Sequence, residues 1–186
     1  ILGKTMVDSE FPIRFGVYDL NEFLSVIGLV DSPRLSFEET HVNIGDSSGR
    51  SKIKYFFTNT DHLTSSSKDI VMPSIDVSFT IDNTTLNQIK KASSALGHSE
   101  LSITANNGSI ALSVIDAGNS TSNTFTIDVD GRYESDQFNF IISIPNLKLL
   151  PGEYTVDISS RLISHFTNKT TGAEYWIALE KSSTYN

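Results

Sequence analysis

Cysteine is absent from the 186 residues. That excludes disulfides, zinc sites built from thiolates and thiol catalysis, and it fits a reducing compartment. Long hydrophobic runs are also missing. No apolar stretch approaches the ~18 residues of a membrane-spanning helix, so no membrane partner is expected. The opening residues, ILGKTMVDSE, lack the apolar core of a secretory leader. They begin with Ile rather than Met, and the expectation is a chain that continues upstream or was cut there. Basic residues are few: 14 Lys and Arg stand against 22 Asp and Glu, for a net charge of −8. A protein that grips nucleic acid by its phosphates is normally basic, so charge alone argues against that role.

Catalytic signatures are equally scarce. Residues 45–49, GDSSG, match G-x-S-x-G, but a nucleophile elbow needs a strand before it and a helix after it. Here RSKIKYFF follows and reads as a strand, so the segment reads as a hairpin loop. Asp128-Val129-Asp130-Gly131 lacks the third acidic ligand and the closing glutamate of a calcium loop. His41, His62, His98 and His165 are scattered without metal-ligand spacing, and no phosphate-binding loop occurs. Asn83, Asn107, Asn119 and Asn168 open N-x-[ST] triplets, which chance supplies in a chain so rich in Asn, Ser and Thr. No enzyme activity, metal or cofactor is expected.

What is present is a core-forming composition, 38% hydrophobic with 11 Phe and 6 Tyr, in a length suited to one large or two small domains. It is organised by a repeat. An apolar run, a polar helix-starting residue and a leucine recur at Leu20, Leu86 and Leu147, in steps of 66 and 61 residues. The first unit reads as a strand over 12–18, then a helix capped by Asp19 with Leu20, Phe23, Leu24 and Ile27 on one face, ended by Pro33. Strands are expected at 34–37, 41–44 and 52–58. The second unit has a strand over 76–81 and a helix capped by Asp82 or Thr84. Its buried face is Leu86, Ile89, Ser93 and Leu96, and Gly97 stops it. Strands at 101–105 and 109–115 flank Asn107-Gly108, the strongest short hairpin signal, and 124–129 follows. The third unit reads as a strand over 137–144, a short helix over 145–150, then strands at 154–158, 162–168 and 173–180. The order is β-α-β-β-β each time. The Ser-rich segment 62–72, HLTSSSKDIVM, reads as a linker, and Ile1–Val7 as the tail of a preceding unit's last strand.

With YDLNEFLSVIGLV (18–30), QFNFIISIPNLKLLPGEY (137–154) and AEYWIALEKSST (173–184), the chain resembles the DNA sliding clamps of T4-like bacteriophages. The resemblance runs from about Phe11 to the C-terminus and is weaker over 34–70. It implies an α+β DNA clamp fold of repeated βαβββ units. On that plan 1–71 is a partial N-terminal domain whose first unit is absent, and 72–186 is a C-terminal domain of two units. It also implies a homotrimeric ring around double-stranded DNA, loaded by an ATP-dependent clamp loader and tethering the phage DNA polymerase in the cytoplasm of the infected bacterial host. Such a ring holds DNA by topology, which reconciles the role with an acidic chain. Lys90, Lys91 and Lys148 are the expected DNA-facing residues, although a lysine on a helix is more often a solvated charge. Ring closure would join the strand holding Lys52, Lys54, Tyr55 and Phe57 to a neighbour's strand holding Thr124, Phe125, Ile127 and Val129. A groove for partner peptides would involve Met72, Pro73, Ile75, Ile115, Trp176 and Ala178. The reading from another class is a non-enzymatic β-rich virion or surface binding module. It would place turns where this chain has helices at a near-constant period.

Overall fold

Local chemistry sets the elements of the computed structural model, which describes residues 1–64 and 70–186. The residues form two compact units, Val7–Ser67 and Ile1–Met6 with Lys68–Asn186. The first six residues therefore join the larger unit. The expected linker 62–72 lies partly outside the described residues.

In the smaller unit, α1 spans Leu20–Ile27. The Asp19 carboxylate accepts from the Asn21 and Glu22 amides at 2.9 and 3.1 Å, so the cap is where the sequence put it. The helix ends at Gly28, several residues before Pro33. A three-stranded antiparallel sheet follows, ordered β2 (Arg34–Phe37), β3 (His41–Gly45), β4 (Lys52–Phe56). Its core is Phe23, Val30, Val42 and Ile44, with Phe15, Phe37, Tyr55 and Phe57 packed around it. The strand expected over 12–18 does not form. Only Gly16 bridges to Thr58, whose amide donates to the Gly16 carbonyl at 2.9 Å. Alternation there serves side-chain packing instead of a ladder: Phe15 meets Phe11, Phe23, Phe37 and Phe57 with ring centroids 4.8–6.2 Å apart.

In the larger unit, β5 (Val77–Ile81) leads into α2 (Asn83–Leu96), whose N-cap is Asp82 and whose C-cap Gly97 has φ +72°. That left-handed conformation suits glycine, which has no Cβ to clash. Then come β6 (Glu100–Asn106), β7 (Ser109–Ile115), β8 (Phe125–Val129) and β9 (Gly131–Tyr133). Asn107 and Gly108, at φ +47° and +92°, make the tight turn between β6 and β7. The second half is β10 (Phe138–Ser143), β11 (Tyr154–Ser159), β12 (Ile163–Asn168), β13 (Glu174–Ala178) and β14 (Thr184–Tyr185). The helix expected over 145–150 is only a single 3₁₀ turn, Ile144–Asn146. Ser143 makes no side-chain cap there. Leu147 and Leu149 are then buried alternately with exposed Lys148 and Leu150, an extended rhythm that holds the segment off helix.

The two halves exchange first strands. One sheet runs β1 (Leu2–Lys4)-β13-β12-β11-β5-β9 and the other β14-β10-β6-β7-β8. Thus β5 completes the second half's meander and β10 the first half's. One core of twenty-two buried residues, from Val77 to Leu179, lies between. Leu86 and Ile89 of α2 are sealed in it, each contributing about 1.5–3 kcal/mol of apolar burial.

Candidate functional site

Three surfaces hold the residues that the sequence singles out, and each is built by different elements. The first is a pair of strand edges. Strand β4 ends its sheet and β8 ends another. On β4 the side chains of Lys52, Lys54 and Phe56 are exposed, while Ile53 and Tyr55 turn to the core of their own unit. Phe56 is 63% exposed, and Lys54 Nζ lies 4.9 Å from its ring centroid. On β8 Thr126 and Asp128 are exposed, whereas Phe125, Ile127 and Val129 pack against the larger core. Of the residues expected at subunit edges, the aromatic and aliphatic ones therefore serve their own cores, as does Phe57. Lys52, Lys54 and the backbone remain outward. Thr124 precedes β8 and is exposed. Phe56 escaped sequence reasoning, although its place two residues beyond Lys54 on a period-two strand was the available signal.

The second surface is the outward side of α2, where Lys90 and Lys91 flank a shallow hollow with Asn87, Ser94 and Ala95. Lys91 is exposed. Lys90 is half-buried, and that desolvation lowers its pKa from the ordinary lysine value. Lys148 is exposed too, but on the extended segment after the 3₁₀ turn and not on a helix.

The third is a groove of about 510 Å³ that gathers Pro73, Trp176 and Ala178 with Ile1, Leu2, Ile70, Arg161, Leu162 and Ile163. Pairing of β12 with β13 sets Ile163 opposite Ala178, and pairing of β1 with β13 sets Leu2 opposite Trp176. Met72 and Ile75 do not line it. Ile75 borders a separate hollow of about 300 Å³ with Asp76, Ser78, Arg132, Tyr133 and Glu134. Ile115 ends β7 in the other sheet. Trp176 is 8% exposed, and its indole N–H finds no acceptor among the described residues. The His165 ring stacks on it at 4.7 Å and sits 3.5 Å from Glu174.

Next to Pro73 in the chain, Ser74 belongs to a hydrogen-bonded cluster around Asp76. Its carboxylate accepts from Ser160 N at 2.6 Å and from Ser74 Oγ at 2.9 Å, and Ser74 Oγ also lies 2.7 Å from Ser159 Oγ. Burial pushes the Asp76 pKa up, but the donors of Ser160 and Ser74 outweigh it and hold the group below the usual carboxylate value.

Among the described residues no cluster of His, Asp and Glu could hold a metal, and no helix is long and apolar enough to cross a membrane. The GDSSG segment is a turn between β3 and β4, where Asp46 Oδ1 accepts from Ser48 Oγ at 2.8 Å and from Arg50 N at 3.2 Å. Asn168 is buried, its amide oxygen taken by the Thr170 and Thr171 amides at 2.9 Å.

Comparison with known proteins bears on the family and the fold. The family described as gp45 sliding clamp, C terminal, matches residues 78–181. The sliding clamp of Vibrio phage KVP40 is 33% identical over 180 residues, covering 94% of this chain and 80% of the relative. The sliding clamp of Escherichia phage RB69 is 29% identical over 191 residues, covering 99% and 82%. Among solved structures, the proliferating cellular nuclear antigen of Entamoeba histolytica superposes with a TM-score of 0.66 at 14% identity, over 90% of this chain and 72% of that one. That likeness shows the fold: an α+β clamp fold with few helices against antiparallel sheets. The matched region and the level of identity place the chain in the phage sliding-clamp family, whose members are not enzymes.

Proposed function

We propose that this protein encircles duplex DNA as a head-to-tail homotrimer and tethers the phage replicative DNA polymerase for processive synthesis. An ATP-dependent loader places it on DNA in the cytoplasm of the infected bacterial host. The observation that carries this reading is that β4 and β8 each end a sheet, in a chain of the sliding-clamp family. An exposed strand edge is a liability that proteins cover or pair. Two different edges on one chain, each answering the other on a neighbour, make a heterologous head-to-tail contact, which forms a ring where the rotation closes. The chain itself carries an example of such pairing, because β1 adds to the outer edge of β13.

In this reading Lys90 and Lys91 of α2 face the DNA, with Lys148 as a third contact, and the remaining acidic charge lies elsewhere. Few phosphate contacts suffice when topology does the holding, so binding should depend only weakly on salt. The groove of Pro73, Trp176 and Ala178 takes apolar peptides from the polymerase and the loader. The reading as a virion or surface module finds no support among the relatives. Native mass by light scattering over a wide concentration range tests the ring. A species near three times 20.5 kDa supports it, and a monomer at every concentration refutes it for this chain.

A further inference from the structure

We infer that the β4 and β8 edges pair antiparallel in one register, with Lys54 opposite Asp128, and that opposite charge on the two edges enforces head-to-tail closure. This rests on the ring reading and goes beyond it by specifying the contact.

Backbone directions decide which residues can meet. Phe57 N donates to Thr40 O on the β3 side, and Thr58 N donates to Gly16 O on the other side. Amide groups alternate along a strand, so Lys52, Lys54 and Phe56 present their N–H and C=O to the open edge. The Gly16 bridge closes that edge at Thr58. On β8 the direction follows from the two-residue Asn107-Gly108 turn, whose flanking pair Asn106 and Ser109 is hydrogen-bonded. Ser109, Ala111, Ser113 and Ile115 then face β6, and Ile110, Leu112 and Val114 face β8. Their partners Val129, Ile127 and Phe125 point back to β7, which leaves Thr126 and Asp128 facing outward.

In an antiparallel pair, directly opposite residues both face each other or both face away. Lys54 can therefore oppose Asp128, or Thr126 or Asp130 after a slip of two. With Asp128 opposite Lys54, exposed Phe56 is covered by Thr126 and Lys52 meets exposed Asp130. On the inner face Tyr55 meets Ile127 and Ile53 meets Val129, so both apolar rows continue across the junction. Either slip of two residues loses one of the two Lys–Asp pairs. A slip of one would send the polar row to the core face. Lys54 now rests over Phe56, and Asp128 Oδ1 accepts from Asn106 Nδ2 at 3.0 Å, which leaves the carboxylate further acceptor capacity. Self-pairing centred on Lys54 sets lysine opposite lysine, and self-pairing centred on Asp128 sets aspartate opposite aspartate, so neither edge can form both Lys–Asp pairs with its own copy.

The absence of cysteine makes the register directly readable. Opposite residues in the hydrogen-bonded pair have Cα atoms about 5.5 Å apart, within disulfide reach, whereas diagonal neighbours at roughly 7–8 Å are not. Three double variants are oxidised with copper phenanthroline and resolved by mass: Lys54→Cys with Asp128→Cys, with Thr126→Cys, and with Asp130→Cys. The first is expected to give the linked ladder and the others little. Dominant linkage in either of the others overturns the register and leaves the strand-edge ring standing. No linkage in any of the three overturns the ring reading itself. For the charges, K54E should weaken assembly about tenfold by sedimentation, and adding D128K to the same chain should restore it. Assembly of K54E like the unaltered chain, or no recovery in the double variant, overturns the electrostatic part.

Discussion

Gly131 sits where the chain leaves β8 for β9 and crosses from one sheet to the other. A Cβ there would press on Ile110 Cδ1 and lie 2.8 Å from both Phe79 Cβ and the Ser78 carbonyl. Two of those three obstacles are fixed by β5 backbone, so the strain has little room to relax. G131A should cost about 1–3 kcal/mol by overpacking, read as a lowered thermal midpoint, and an unchanged midpoint would mean that this crossing is looser than it looks. Asp82 acts through charge instead of volume. Its Oδ1 accepts from Thr85 N at 2.7 Å, and that bond, with others from Thr85 and Thr84, holds its pKa below the ordinary carboxylate value. A depressed pKa in the folded state contributes stability above the unfolded value and loses it as pH falls through the folded one. D82A should therefore cost about 1 kcal/mol at neutral pH, with the cost shrinking below about pH 4. Paired melts of both proteins at pH 7 and pH 3 measure it, and a difference independent of pH would mean that the cap is held by geometry alone.

At the scale of elements, α1 separates what pattern shows from what packing decides. Its period gave Leu20, Phe23, Leu24 and Ile27 one face, yet only Phe23 is buried, while Leu20 and Leu24 are 60% and 50% exposed. F23A should then cost about 3–5 kcal/mol, whereas L24Q should stay within about 0.5 kcal/mol, both from denaturant midpoints. Comparable losses would show that the helix buries the face its sequence advertises. Most elements were legible because local signals agreed: Asp19 and Asp82 as caps, Gly97 as a stop, Asn107-Gly108 between two alternating runs. The strand over 12–18 was misread because alternation reports which side chains turn inward, not whether the backbone has a partner. Only Gly16 found one. The helix over 145–150 was misread because Leu147 and Leu149 are spaced for an extended chain. Strands β9 and β14 are three and two residues long, too short for any period to show. The sites divide the same way. The lysines of α2 follow from helical phase. Arg161, Leu162 and Ile163 enter the groove only through the β12–β13 register, and Ile1 and Leu2 through pairing across almost the whole chain, which no local pattern encodes.

At the scale of the molecule, the two units are unequal in what holds them. The larger closes two sheets over twenty-two buried residues, and the smaller relies on four, Phe23, Val30, Val42 and Ile44, under a three-stranded sheet. The smaller also leaves Phe11, Tyr18, Leu20, Leu24, Leu29 and Phe56 exposed. Small units bury a lower share of their surface and are correspondingly marginal. The smaller unit should open first, and the chain offers a clean probe of the difference. Its single tryptophan, Trp176, belongs to the larger unit, whereas far-ultraviolet circular dichroism reports on both. In a urea titration the dichroism should begin to fall before the Trp176 emission shifts, because transitions that are not two-state separate between probes. Limited proteolysis at the intermediate urea concentration should cut first within residues 7–67 and leave a core that extends from about residue 70 to the C-terminus. Coincident transitions with no such core would mean that the chain unfolds in one cooperative step and that the small core of Phe23, Val30, Val42 and Ile44 is no weaker than the large one.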